Sequence, residues 1–180
     1  FDGKGCKFYL EEDLTNPISE YGRSKLEGEK LIFKKLKDYL VFRLSWVIGE
    51  GESNFLYKFS QWARDKNELK ISNDEISIPT FTDDIVNLTL LSLDKGLKGL
   101  YHLTSSGHTS RFGLAKAFCD LMELRCTLIP VSKNTFKTKA ERPAFSCLSN
   151  KKLSNELECV IPSWEDGLKR YVTRLKGKVI

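Results

Sequence analysis

The chain has 180 residues, 41% of them hydrophobic and 29% charged, the balance of one globular domain or the larger part of one. No apolar run approaches the ~20 residues that a membrane-crossing helix needs, so no membrane partner is expected. The net charge of +5 arises from Lys and Arg scattered among acidic residues, with clusters at Lys34, Lys35 and Lys37 and at Lys169, Arg170, Arg174, Lys176 and Lys178. These read as solvated helix faces and a tail, and no nucleic-acid partner is expected.

Phe1 to Leu14 is rich in glycine and charge, which predicts turns. The chain opens on Phe1-Asp2-Gly3 without Met, as a loop rather than a domain start, and reads as a fragment. Asn16-Pro17 predicts a helix opening, because Asn can accept from free N–H groups and Pro at the first helical position loses no bond. At 3.6 residues per turn, Ile18, Gly22, Ile32, Phe33 and Leu36 share one face. Lys25 and Glu29 fall within that apolar arc and Tyr21 lies at its edge. Tyr21 and Lys25 are four apart and stack on one side of the helix. An ammonium beside a phenol favours the phenolate, which makes a usable proton donor for carbonyl reduction.

The run from Leu40 to Ile48 is nearly continuous in apolar residues and predicts a central parallel strand buried on both faces. Ser53 or Asn54 can cap the next helix, with Phe55, Phe59, Trp62 and Ala63 at helical spacing. Leu69 to Ile78 gives two short strands about the Asn73-Asp74 turn. Thr82 or Asp83 then caps a helix carrying Ile85, Val86, Leu88 and Leu91, and Leu100 to Thr104 is a further strand. Ser110 caps a helix with Phe112, Ala115, Phe118, Cys119 and Met122 inward. Thr127 to Val131 reads as a strand near an edge because of Pro130. Ser132 to Cys147 is polar and irregular, and Ser163 to Asp166 resembles a capping box opening the last helix. Strands alternating with helices argue for α/β architecture.

No Gly-x-Gly-x-x-Gly follows any strand, so the phosphate-cradling half of a dinucleotide fold is absent from this sequence. Cysteines at 6, 119, 126, 147 and 159 are odd in number and form no Cys-x-x-Cys pair, the pattern of reduced thiols in a cytoplasmic protein. The two histidines, 102 and 108, offer no zinc site.

In this order and spacing the motifs carry a resemblance. Phe1-Asp2-Gly3, Asn16-Pro17 and Tyr21-Gly22-Arg23-Ser24-Lys25-Leu26-Glu27-Gly28-Glu29 lead. Arg43-Leu44-Ser45-Trp46-Val47, Asn54-Phe55, Pro79-Thr80, Gly99 to Leu103 and Arg142-Pro143-Ala144 follow. Together they resemble the dTDP-4-dehydrorhamnose reductase family of extended short-chain dehydrogenase/reductases, over nearly the whole chain. The resemblance implies the C-terminal part of a Rossmann-like doubly wound parallel sheet with a small substrate-binding lobe. Residues about 1–50 and 83–105 would belong to the sheet, and about 51–82 and 106–180 mostly to the lobe.

By the same resemblance, Tyr21 would be the catalytic proton donor and Lys25 would bind nicotinamide ribose hydroxyls and favour the Tyr21 phenolate. The triad's Thr would lie upstream of Phe1. Trp46, Asn54 and Arg142 would contact a dTDP-sugar, Arg142 at its diphosphate. The cofactor would be NADPH or NADH, and the reaction the reduction of dTDP-4-dehydro-L-rhamnose to dTDP-L-rhamnose. Some members dimerise through Mg²⁺, for which no site is assignable here; a homodimer is a possible assembly. Two alternatives stay open: a non-catalytic relative resembling the methionine adenosyltransferase beta subunit, and a related nucleotide-sugar 4-ketoreductase or epimerase.

Overall fold

The computed structural model describes residues 1–137 and 140–177, so Lys178 of the basic tail lies outside the described residues. The first helix, α1 (Glu20–Lys35), begins later than Asn16-Pro17 suggests, because Ser19 supplies the cap: its hydroxyl accepts from the Gly22 N–H at 3.1 Å. No residue of α1 is buried. Its inward side is Gly22, Leu26, Glu29 and Ile32, all only half-buried, whereas Lys25, Phe33 and Leu36 are exposed. The expected inward face is therefore rotated, and Lys25 does not point into the protein. The charge that does turn inward is Glu29. Its carboxylate accepts from Arg43 in a two-pronged pair, Nη2 to Oε2 at 2.7 Å and Nε to Oε1 at 2.9 Å.

The apolar run after α1 is not one strand. It divides into β1 (Leu40–Arg43) and β2 (Val47–Ile48), with the break at Trp46, whose φ of +34° no extended strand tolerates. β1 pairs in parallel with β6 (Gly99–His102), and β2 pairs in parallel with β5 (Thr80–Phe81). Among the described residues β6 is the only strand beside β1, which is half-buried along its length rather than buried on both faces.

Asn54 caps α2 (Phe55–Asp65), which leads into β3 (Glu68–Ser72). Beyond the Asn73-Asp74 turn lies β4 (Ile76–Ser77), yet the two strands do not pair with each other. β3 runs parallel to β8 (Thr127–Val131), with Ile71 opposite Pro130, whereas β4 is antiparallel to β7 (Thr109–Ser110). Among the described residues four further α-helices follow: α3 (Thr82–Asp94), α4 (Arg111–Met122), α5 (Lys151–Leu157) and α6 (Trp164–Gly177). Phe81 occupies the cap position of α3 and makes no side-chain cap bond, so neither Thr82 nor Asp83 serves there. Ser110 and Ser163 act as caps for α4 and α6, accepting from Gly113 and Asp166 N–H.

Two apolar clusters hold these elements. One gathers Leu56, Phe59, Ile71, Phe81, Phe118 and Leu168, from α2, β3, β5, α4 and α6. The other gathers Leu88, Tyr101, Leu103, Leu153 and Leu157, from α3, β6, its continuation and α5. The basic residues of α6 join the two: Arg170 donates to both carboxylate oxygens of buried Asp84 at 2.6 Å, and Arg174 pairs with Asp83 at 2.5 Å. These arginines are ties between helices rather than a solvated tail. Among the described residues no helix is long and apolar enough to cross a membrane.

Candidate active site

Two adjoining cavities mark the surface where α1, the β1–β2 break and the segments 133–137 and 140–146 come together. The first, about 580 Å³, is lined by Tyr21, Lys25, Ser45, Trp46, Pro143 and Phe145 among others. Tyr21 is 72% exposed, and the Lys25 ammonium lies over its ring, 5.4 Å from the centroid. Lys25 makes no salt bridge among the described residues. Trp46 is carried into this cavity by its left-handed backbone, a conformation that costs an L-residue about 1–2 kcal/mol. Beneath it Ser45 and Ser77 share a short hydroxyl contact, and Ser146 donates to Ser77 at 2.8 Å, which pins the break to the far loop.

The second cavity, about 830 Å³, is lined by Phe55, Lys58, Lys70, Arg111, Lys133 and Arg142, with Glu75 and Glu141 as its acidic members. Arg142 is 54% exposed, and its Nη1 stands 3.8 Å from Glu75 Oε1. Its backbone carbonyl accepts from Lys133 Nζ at 2.8 Å, so two cations are held side by side at the rim. The loop itself is fixed by the N-terminal segment. Gly3 has φ +71° and is packed so closely on Pro143 that a Cβ there would lie 2.2 Å from Pro143 Cβ. The Gly3 carbonyl accepts from Phe145 N–H at 3.1 Å.

Asn54 stands apart from the other expected site residues. Its side-chain oxygen accepts from Tyr57 N–H at 3.0 Å, and its two amide protons go to the carbonyls of Gly49 at 2.8 Å and Gly51 at 2.7 Å. Its donors are spent on the loop between β2 and α2, and it lines neither cavity. Tyr21, Lys25 and Trp46 thus share one cavity, Arg142 lines its neighbour, and Asn54 shapes the backbone between them.

Arg111 and Glu75 went unnoticed in the sequence. The Arg111 guanidinium is stacked between the rings of Trp46 and Phe55, 4.7 and 4.8 Å from their centroids. Burial works against its charge, and the Glu75 carboxylate opposes that effect. Arg111 Nε donates to Glu75 Oε2 at 3.1 Å, and Ser72 Oγ donates to the same oxygen at 2.5 Å. No spacing rule connects residues 75 and 111. The antiparallel register of β4 with β7 brings them together. Among the described residues no group of three or more His, Cys, Asp or Glu side chains is gathered as a metal site.

Parallel strands with flanking helices, and a helix beside them that carries a Tyr–Lys pair, match the Rossmann-like fold of extended short-chain dehydrogenase/reductases. The chain belongs to the family described as the RmlD substrate binding domain, whose model matches residues 1–176. It is 34% identical over 172 residues to the spore coat polysaccharide biosynthesis protein SpsK of Bacillus subtilis, covering 96% of this chain and 60% of that protein. It is 32% identical over 188 residues to the dTDP-4-dehydrorhamnose reductase of Escherichia coli, covering 97% and 62%. Among solved structures, a dTDP-4-dehydrorhamnose reductase from Bacillus anthracis in complex with NADP superposes with a TM-score of 0.92 at 29% identity, covering 97% of this chain and 62% of that one. The chain thus spans about three-fifths of the length of the relatives it matches.

Proposed function

We propose that the protein reduces the 4-keto group of dTDP-4-dehydro-L-rhamnose to give dTDP-L-rhamnose, using NADPH or NADH. The observation that carries this reading is the placement of Tyr21, Lys25 and Trp46 around one cavity, next to a cavity rimmed by Arg142 and Lys133. The relatives named as dTDP-4-dehydrorhamnose reductases support it, as does the NADP held by one of them.

Each residue has a defined task in this reading. The Tyr21 hydroxyl donates its proton to the oxygen of the reduced carbonyl, and the Lys25 ammonium stabilises the phenolate left behind. The exposed, unbridged Lys25 also suits ribose hydroxyls, so Tyr21 and Lys25 fit a nicotinamide cofactor, which when bound supplies hydride. Trp46 offers an apolar face to the sugar ring. Arg142 and Lys133 receive the diphosphate, Arg142 by its planar fork. Asn54 keeps the β2–α2 loop in shape. The protein is cytoplasmic in this reading, with its five free cysteines reduced and a homodimer as a permitted assembly.

The test follows NADPH oxidation at 340 nm in the complete protein with dTDP-4-dehydrorhamnose. Tyr21→Phe should lower kcat by at least ~10²-fold, the range of a lost general acid. Undiminished turnover in that variant removes Tyr21 from the chemistry. No turnover by the wild type with any 4-keto nucleotide-sugar favours a non-catalytic relative instead.

A further inference from the structure

Two arginines border the anion-receiving cavity, and their surroundings differ. Arg142 is open to solvent, with one carboxylate at 3.8 Å. Arg111 lies over two aromatic rings, 4.7 Å from the Trp46 centroid and 4.8 Å from that of Phe55, and only 20% of its side chain is exposed. Glu75 holds Arg111 at two points. The Glu75 carbonyl accepts the Arg111 backbone N–H at 3.1 Å, and its carboxylate accepts Nε at 3.1 Å. That carboxylate is only 8% exposed and is braced by Ser72, so it cannot swing away to release the guanidinium. Trp46 faces the Tyr21–Lys25 cavity, whereas Arg111 and Phe55 face the other. The stack of Trp46, Arg111 and Phe55 is therefore the wall between the two.

We propose that Arg111 is a positioning residue, not an anion contact: stacked between Trp46 and Phe55 and neutralised by Glu75, it fixes the Trp46 indole as the seat for the sugar and leaves the diphosphate to Arg142. The proposal deepens the nucleotide-sugar reading and rests on it. A planar cation is required because a lysine ammonium would satisfy Glu75 but has no flat face to lie between two rings. The strained backbone of Trp46 adds to the need. A residue at φ +34° persists only where its surroundings over-determine it, and the Arg111 stack is the side-chain half of that constraint.

The experiment labels the protein with 5-fluorotryptophan, assigns the Trp46 ¹⁹F resonance with Trp46→Phe, and titrates dTDP and dTDP-L-rhamnose by calorimetry. Arg111→Lys keeps a charge for Glu75 and so should fold, which a thermal melt checks. It should move or broaden the Trp46 resonance while leaving those of Trp62 and Trp164 in place. It should also hold dTDP affinity within about 2-fold and erase the extra affinity that the sugar brings. Phe55→Leu, which leaves the ion pair intact, should shift the Trp46 resonance in the same direction by less. Arg142→Ala should weaken both ligands alike, by roughly 10-fold, with the Trp46 resonance unchanged. An unmoved Trp46 resonance in Arg111→Lys overturns the proposal. A loss of dTDP affinity in that variant equal to that of Arg142→Ala also overturns it, because Arg111 would then be an anion contact. A wild type that binds neither ligand overturns the nucleotide-sugar reading, and the resonance then decides on its own whether Arg111 holds Trp46.

Discussion

His102 ends β6 with 0% of its side chain exposed, its ring enclosed against the backbone of Tyr9 and Ser149. Its backbone N–H donates to Glu11 Oε1 at 2.8 Å, and the other Glu11 oxygen stands 4.0 Å from Nδ1. Burial pushes the imidazole pKa below its ordinary value; Glu11 pulls it upward and Arg43 pushes it further down, with burial the largest effect. Between the folded pKa and the unfolded value of about 6.5, the unfolded chain binds the proton and the folded chain does not. Stability therefore rises with pH across that window and is lost as pH falls from about 6.5 toward the folded pKa. Thermal unfolding between pH 7.5 and pH 5.2 should show the midpoint dropping, before ordinary carboxylates begin to titrate. His102→Leu removes the titrating ring, so its midpoint should fall less over the same range. Parallel slopes for the two proteins would mean that His102 does not report on folding. Nothing in the sequence around residue 102 distinguishes this buried imidazole from a surface one, because its neighbours come from residues 9–11, 43 and 149. Tyr21 and Lys25 are the opposite case, since a four-residue helical spacing suffices to bring them together.

At the level of elements, α6 approaches β5 most closely at Gly167, beside the Phe81–Tyr171 ring contact. A Cβ at Gly167 would come 2.2 Å from Phe81 Cδ2, and Phe81 is fully buried with no room to turn. Gly167→Ala should lower stability by about 1–3 kcal/mol, the range for overpacking, despite a helix-propensity gain of up to ~1 kcal/mol. Gly28 is the comparison. It sits in α1 with nothing within 4 Å of where a Cβ would be, so Gly28→Ala should keep the propensity gain and raise stability by up to ~1 kcal/mol. Urea midpoints of the two variants should move in opposite directions; a common direction contradicts the packing argument. Helix starts were legible at Asn54, Ser110 and Ser163, where a side chain does the capping, whereas Asn16-Pro17 masked the true α1 cap at Ser19. Where no side chain caps, the signal is weaker: α3 starts after Phe81 rather than behind a Thr82 or Asp83 cap, and α5, with seven residues and no cap bond from Asn150, gave no sign. Strand partners were illegible for a different reason. β3 finds β8 across more than fifty intervening residues, and local pattern carries no such register.

At the scale of the whole molecule, the two cavities differ in how much of each this chain provides. The walls of the basic cavity run from Ser53 to Arg142, whereas the Gly3–Pro143 contact, with the Gly3–Phe145 hydrogen bond beside it, lies at the Tyr21–Lys25 cavity. Its lining carries five basic side chains against two acidic ones, a charge excess that favours an anionic ligand. The Tyr21–Lys25 side leans on α1, which buries none of its residues, and β1 beside it has one strand neighbour among those described. A dinucleotide also needs a Gly-x-Gly-x-x-Gly turn that presents N–H groups at a helix N-terminus, and the Gly49-Glu50-Gly51 turn between β2 and α2 lacks the third glycine and carries acidic residues instead. The 180-residue chain should accordingly separate two activities that operate together in a reductase. In calorimetry it should bind dTDP measurably, with affinity falling several-fold as salt rises from 50 to 500 mM because the contacts are ionic. Arg142→Ala should weaken that binding by roughly 10-fold. NADPH titrated into the same chain should give little or no heat at concentrations that saturate dTDP. NADPH binding as tight as dTDP binding would mean that Tyr21, Lys25 and their surroundings hold the cofactor without a glycine-rich cradle. The division of the two ligands between the two cavities would then be wrong.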